Sequence, residues 1–334
     1  MHSANSKIAR GGQRRCRMLA LIVVGGAASI SASGRAEYPE RQIRIISPSA
    51  PGGASDLVGR ILAQGLSERW GRPAFVENRP GASTMLGGDI VAKSTPDGYT
   101  LLVGISTLAI NPSTFKNVPY DVLRDFAPIT QAVSVPNMLI ANPSLPVKSI
   151  KELVALAKRR PGEVLYASAG QGTSAHLTME LFATVAGIRM MHVPYKSQGP
   201  GLIATIAGEV SLMGSSVTTA LPALRGGRVR ALGITSARRT AIAPDIPTVA
   251  EQGLPGFEAG NWFGLLAPAG TPPEIIAKLS REAVAILQAP AAKQRLEGEG
   301  AEVVASRPEQ FAAFIRQETA KWAKVVKAAG IQPE

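Results

Sequence analysis

The sequence predicts an α/β protein in two domains joined by two chain crossings, each domain a mostly parallel sheet flanked by helices. Three observations carry this. From Tyr38 onward short apolar runs alternate with longer helical patterns, glycine-bearing loops recur where a run passes into a helix, and the last portion has too few strands to stand alone. That last portion is expected to return to the first, giving one domain over 37–138 and 261–334 and an inserted domain over 139–260.

The first 36 residues stand apart. Lys7, Arg10, Arg14, Arg15 and Arg17 precede an apolar or small-residue run from Met18 to Ile30, and Gly34-Arg35-Ala36 offers small residues for cleavage near Ala36. This predicts an export signal, by the general or the twin-arginine route, and a periplasmic mature chain. The run is too short for a membrane anchor. Six of the 36 basic residues lie there with no acid, so the net charge falls from +12 to +6 on cleavage. Most of the basicity belongs to the signal, and no Lys/Arg block with interleaved aromatics remains to contact nucleic acid. A modest positive balance suits an anionic ligand. The only cysteine, Cys16, also lies in the signal, so disulfides, thiol nucleophiles and thiolate metal sites are excluded from the mature chain.

In chain order, Ile43–Ile46 reads as a strand and is followed by a helix with Leu57, Val58, Ile61, Leu62, Leu66 and Trp70 on one face. Strand Ala74–Glu77, a short helix to about Lys93, the turn Pro96-Asp97-Gly98 and strand Tyr99–Ile105 come next. Phe126–Val133 and Asn137–Ala141 read as separate extended segments. A second series follows: helix Ser149–Arg160, strand Val164–Ser168, helix Ser174–Ala186, strand Met190–Val193, helix Pro200–Ala207, strand Val210–Met213, a helix over about Val217–Arg225 and strand Val229–Thr235. A Pro/Gly-rich loop, Ala243–Gly260, leads to strand Trp262–Ala267. Helices Pro272–Gln288, Ala291–Gly298 and Pro308–Ala329 close the chain, with a short strand over Glu302–Ala305.

Four loops leave strand ends with small neutral donors, where open α/β sheets bind ligands. The first, Pro48 to Asp56, offers Ser49, Ala50, Gly52, Gly53, Ser55 and Asp56. Two glycines let backbone approach a ligand, and free N–H groups of the following helix form an anion site. Asp56 is expected to cap that helix. The second is Ser106-Thr107. The third, Ala169-Gly170-Gln171-Gly172-Thr173-Ser174, leaves a strand for a helix and contributes Ala169, Gly172, Thr173 and Ser174. The fourth is Ser215-Ser216. Together they predict a polar pocket between the domains, with His176 and Tyr195 nearby.

Enzyme readings fit poorly. Gly170-Gln171-Gly172-Thr173-Ser174-Ala175 matches a loose dinucleotide fingerprint, yet the next strand ends at Val193-Pro194-Tyr195-Lys196 without an acid for a ribose. Ser174 with His176 or His192 lacks a nucleophile elbow and a triad in order. The two mature-chain histidines have no helix-spaced carboxylate or thiolate for a metal, and no convergent carboxylate pair supplies an acid and a base. The pocket therefore favours binding over turnover, with no cofactor.

The order of motifs resembles one family. Pro51-Gly52-Gly53-Ala54-Ser55-Asp56, Val76 to Ala82, Pro96 to Leu102, Asn142-Pro143-Ser144-Leu145-Pro146, Tyr166 to Leu177, His192 to Lys196, Pro247 to Glu251, Trp262 to Leu265 and Ala267 to Pro272 all match the Bug-type receptors of tripartite tricarboxylate transporters. The resemblance covers Tyr38 to Gly330. It implies a type II periplasmic binding protein that closes like a flytrap on a small carboxylate, gripped from opposite sides by the loops at Ser49–Asp56 and Ala169–Ser174, partly through water. It also implies a monomer that serves membrane transporter subunits. An exported enzyme acting on a carboxylate and a sensor for a membrane receptor kinase are the alternatives. The sequence departs from the family pattern at Ser49, where an aromatic is usual, and at Ser215-Ser216, where Asp-Asn is usual. Without that acid an ammonium group loses its partner, so a carboxylic acid without an amino group is expected.

Overall fold

A computed structural model describes residues 38–333, so the expected export signal lies outside the described residues. Strand β1 (Ile43–Ser47) is buried at Ile43, Ile45, Ile46 and Ser47, hence on both faces, as parallel strands under helices are. Helix α1 (Ala54–Trp70) buries Val58, Ile61, Leu62 and Leu66 at helical spacing against it. Strand β2 (Ala74–Asn78), helix α2 (Met85–Ala92) and strand β3 (Thr100–Ile105) follow, with β1 parallel to both β2 and β3.

Ser106-Thr107 opens a helix that the sequence reading missed, α3 (Thr107–Thr114), with Pro112 inside it. An internal proline and a length of eight residues hide its periodicity. The two extended segments expected over 126–141 are one 16-residue strand, β4 (Phe126–Ala141). Prolines argue against a continuous strand. Here Pro128 sits at a register shift, and Pro136 is the last residue paired with β9 (Gly260–Pro268) before β4 changes partner.

Beyond β4 come α4 (Ile150–Arg159), β5 (Leu165–Ser168), α5 (Ser174–Ala186), β6 (Met191–Pro194), α6 (Gln198–Ala207), β7 (Leu212–Ser216), α7 (Val217–Arg225) and β8 (Arg230–Ile234). After β9 the chain adds α8 (Pro273–Gln288), α9 (Pro290–Gly298), β10 (Glu302–Val303) and α10 (Pro308–Ala328). The sheet runs β2-β1-β3-β9-β4-β7-β5-β6, with β8 and β10 also pairing with β4. Pairing is parallel in both flanks, among β2, β1 and β3 and among β6, β5 and β7. The expected parallel character stops there: β9 and β4 are antiparallel to every neighbour they pair with.

Leu279, Ala283 and Leu287 of α8 share a core with Ile45, Leu62 and Leu66, so this C-terminal helix packs on the first βα unit. Helix α10 packs on α3, β4 and α5, burying Phe311, Ile315 and Trp322 in a core that also holds Leu139, Tyr166 and Phe182. Burying Phe311 or Ile315 stabilises by roughly 1.5–3 kcal/mol each. Among the described residues no helix is long and apolar enough to cross a membrane.

Candidate functional site

The first loop is organised by Asp56. One carboxylate oxygen accepts the Gly52 N–H and Arg60 Nε, both at 2.9 Å, and the other accepts Asn78 Nδ2 at 3.0 Å. Burial pushes this carboxyl up, but the hydrogen bonds from Arg60, Gly52 and Asn78 and the Arg60 charge outweigh it and hold Asp56 below the usual range. Gly52 sits at φ 83°, a conformation that favours glycine. Ser55 is buried with its hydroxyl 3.0 Å from Ser47 Oγ and 2.5 Å from Ser49 Oγ, so Ser49 and Ser55 support the loop from within. The residue ahead of α1 is Gly53, which brings no side-chain cap. The N–H groups of Ala54, Ser55 and Asp56 therefore have no partner among the described residues.

The glycine loop after β5 is held by a second group of side chains. Gly172, at φ 70°, donates its N–H to His176 Nδ1 at 3.1 Å, which places the imidazole proton on Nε2. Ser168 Oγ accepts the Gly170 N–H at 3.1 Å and lies 2.6 Å from His192 Nε2. The two imidazoles stack at 3.9 Å, with Tyr166 stacked on His192 and its hydroxyl donating to Glu180. Burial lowers His176 to about 3, helped by His192, and lowers His192 to about 4. Both rings are neutral buttresses of the loop at neutral pH. Thr173 caps α5 by accepting the His176 N–H. Ser174 is buried, and its Oγ has no hydrogen-bond partner. An orphaned buried hydroxyl is uncommon enough to call for an explanation.

Two neighbouring cavities receive the helix starts in pairs. The first, about 230 Å³, is bordered by Thr107 at the start of α3 and by Ala169, Gly172, Thr173 and Ser174 leading into α5. Ser83, Thr114, Gln171, Gln198, Asn261 and Gln332 complete its polar wall, and none of its lining side chains is charged. The second, about 560 Å³, is bordered by Gly52, Gly53 and Asp56 at the start of α1 and by Ser216 at the start of α7. Gln198 and Asn261 border both cavities. Helix N-termini attract anions through their free N–H groups and dipoles, and each cavity has two beside the α6 start, whose first residue Gln198 they share.

The sequence reading placed all four loops on one pocket. The structure instead divides them, with no residue of Ser49–Asp56 on the cavity that holds Ala169–Ser174. Each cavity spans the β9–β4 centre, β3 with β5 and β1 with β7, and in the sheet order β1 and β5 lie one strand further apart than either pair. Ser49, Ala50, Ser55, Ser106, His176, Tyr195 and Ser215 border neither cavity. Ser106 acts through Asn261 and His176 through Gly172. Tyr195 is half-buried against the core beneath α6 and α7. Gln198 and Asn261 were missed, because a lone amide in a loop or at a strand start carries no spacing signal.

Comparison with known proteins bears on this geometry. The model of the "Tripartite tricarboxylate transporter family receptor" family matches residues 58–331. Protein BugT of Bordetella pertussis is 40% identical over 321 residues, covering 94% of this chain and 98% of BugT. Among solved structures, R. palustris Rpa4515 with adipate superposes with a TM-score of 0.73 at 35% identity, covering 89% of this chain and all of that one. MatC (Rpa3494) from Rhodopseudomonas palustris with bound malate gives 0.68 at 33%, covering 86% of this chain and 100% of that one.

Proposed function

Because the chain belongs to the tripartite tricarboxylate transporter receptor family, we propose that it is an exported periplasmic protein that captures a small organic carboxylate for the membrane subunits of such a transporter. One observation carries the ligand class: the α5 start, whose first residue Ser174 holds a buried hydroxyl without a partner, borders a cavity that also meets the α3 start and has no charged lining. Two helix N-termini and a hydroxyl donor complement a carboxylate without burying a fixed cation against it. The adipate and malate in two relatives support the same class.

Capture proceeds by docking and closure. Pro136 pairs with Gly260 where β4 leaves β9 for β7, close to both expected crossings, and this pair would act as the hinge between lobes over 37–138 with 261–334 and over 139–260. Rotation there would bring the α1 and α5 starts together across the shared Gln198 and Asn261. A carboxylate that binds the closed arrangement better shifts the population toward it. No reaction is needed, and no lining group of the first cavity has the basicity to begin one.

Calorimetry on residues 37–334, freed of carried ligand by unfolding and refolding, tests this. The expected result is saturable binding of a plain mono-, di- or tricarboxylate, tighter than aspartate or glutamate, with the ligand recovered unchanged by mass spectrometry. Tighter binding of an amino acid, or no response to any carboxylate, refutes the ligand class, and conversion of the ligand refutes a binding role.

A further inference from the structure

Gln198 makes three contacts at a place where a ligand oxygen would fit. Its Oε1 accepts the Ser216 N–H at 3.1 Å and Ser215 Oγ at 3.2 Å, and lies 3.3 Å from Ser216 Oγ. Ser216 is the N-cap of α7 and Ser215 is fully buried, so these donors form the anion-attracting start of that helix. A neutral side-chain carbonyl from the first turn of α6 already holds them. Among the described residues the Gln198 amide NH₂ has no partner, and Gln198 borders both cavities. With the carbonyl turned to α7, the NH₂ is the end left for a ligand.

From this convergence we infer that Gln198 is a specificity-determining residue: its carbonyl occupies the α7 anion position and its NH₂ presents a neutral donor at the junction of the cavities. The inference deepens the carboxylate reading and rests on it for ligand class. It makes the protein receive one carboxylate at the α5 start while denying a second carboxylate the α7 start. A neutral oxygen on the distal part of the ligand meets the amide donor instead. Replacing Gln198 by a short side chain exposes the Ser215 and Ser216 donors and turns the α7 start into a second anion site. Replacing it by glutamate keeps an acceptor on those donors, so the fold is retained, but puts a negative charge at the junction and removes the NH₂.

The test uses Gln198→Ala and Gln198→Glu in residues 37–334, with circular dichroism and melting temperature to establish folding. Calorimetry compares matched pairs of equal chain length: butyrate with succinate, pentanoate with glutarate, hexanoate with adipate. In Gln198→Ala the preference for the dicarboxylate over its partner is expected to rise about tenfold, the worth of one charge-assisted contact. In Gln198→Glu it is expected to fall by a similar factor. Inorganic phosphate serves as a probe independent of the carboxylate reading: it should raise the melting temperature of Gln198→Ala further than that of the parent or of Gln198→Glu. A parent protein that binds no carboxylate defeats the proposed ligand class, while a phosphate response larger in Gln198→Ala than in the parent still upholds the role of Gln198. Folded variants with unchanged pair ratios, or a phosphate response equal in parent and Gln198→Ala, overturn it.

Discussion

Ser106 donates its hydroxyl to Asn261 Oδ1 at 2.7 Å, joining the start of α3 to the second residue of β9 across 155 positions of sequence. Ser106 is fully buried, whereas Asn261 faces both cavities, so the bond aims the amide from behind. Ser106→Ala is expected to cost about 1 kcal/mol in urea unfolding, the low end for a lost buried bond, because water in the cavities can reach Asn261 Oδ1. Carboxylate affinity should weaken by roughly threefold to tenfold as Asn261 loses its orientation. Unchanged affinity with reduced stability would assign the pair a purely structural role.

Ser174→Ala separates binding from folding. The hydroxyl is buried without a partner in the free protein, so removing it takes away a desolvated polar group and no native hydrogen bond. The melting temperature should hold or rise, with stability within about 0.5 kcal/mol of the parent or above it. Carboxylate affinity should drop on the order of tenfold, as one hydrogen bond to a charged ligand is lost. A stable variant that binds as tightly as its parent would remove Ser174 from the site.

Much of this was legible in the residues, and the gaps have physical causes. Ile43–Ile46 and Tyr99–Ile105 are apolar runs between breakers, and β1 and β3 lie where those runs are. Gly172-Thr173-Ser174 between a strand and a periodic stretch marks the start of α5. Pro112 and Pro136 mask α3 and the continuity of β4, since proline costs a hydrogen bond that only tertiary pairing or helix position makes unnecessary. Gln198 and Asn261 lie beyond pattern reading altogether. Their roles come from partners 17, 18 and 155 positions away, and no local periodicity encodes such a meeting.

Gly260→Ala probes the crossing where β4 changes partner. A Cβ there would lie 2.8 Å from the Val135 carbonyl oxygen and 3.4 Å from Pro136 Cα, backbone atoms that cannot turn away. Relief requires the β4–β9 ladder to part beside Asn261, which should cost about 1–3 kcal/mol in urea unfolding and weaken ligand binding. Gly298→Ala is the control: its Cβ meets open space at the end of α9, and removing a helical glycine should stabilise by up to about 1 kcal/mol. Equal effects at the two positions would show that the crossing tolerates displacement.

Acid should destabilise the fold chiefly through His176 and His192. Burial lowers the folded pKa of His176 to about 3 and of His192 to about 4, against an ordinary value near 6.5, so between these limits the unfolded chain binds protons that the folded one refuses. Their contribution is complete above about pH 6.5 and is lost as the pH falls from there toward 4, at up to about 1.4 kcal/mol per pH unit for each ring. Glu180, beside His176 and bonded by Tyr166, works in the opposite sense: burial raises its pKa, so the folded state takes up its proton first and recovers some stability over the same descent. Two histidines outweigh one glutamate, and urea midpoints measured from pH 7.5 to 4.5 should decline. His192→Gln should reduce that slope by about half, since it removes one of the two refused protons. A parent protein with a flat profile would mean that both rings gain protons in the fold as readily as in the open chain, and the stacked imidazoles could not then serve as the neutral support of the glycine loop.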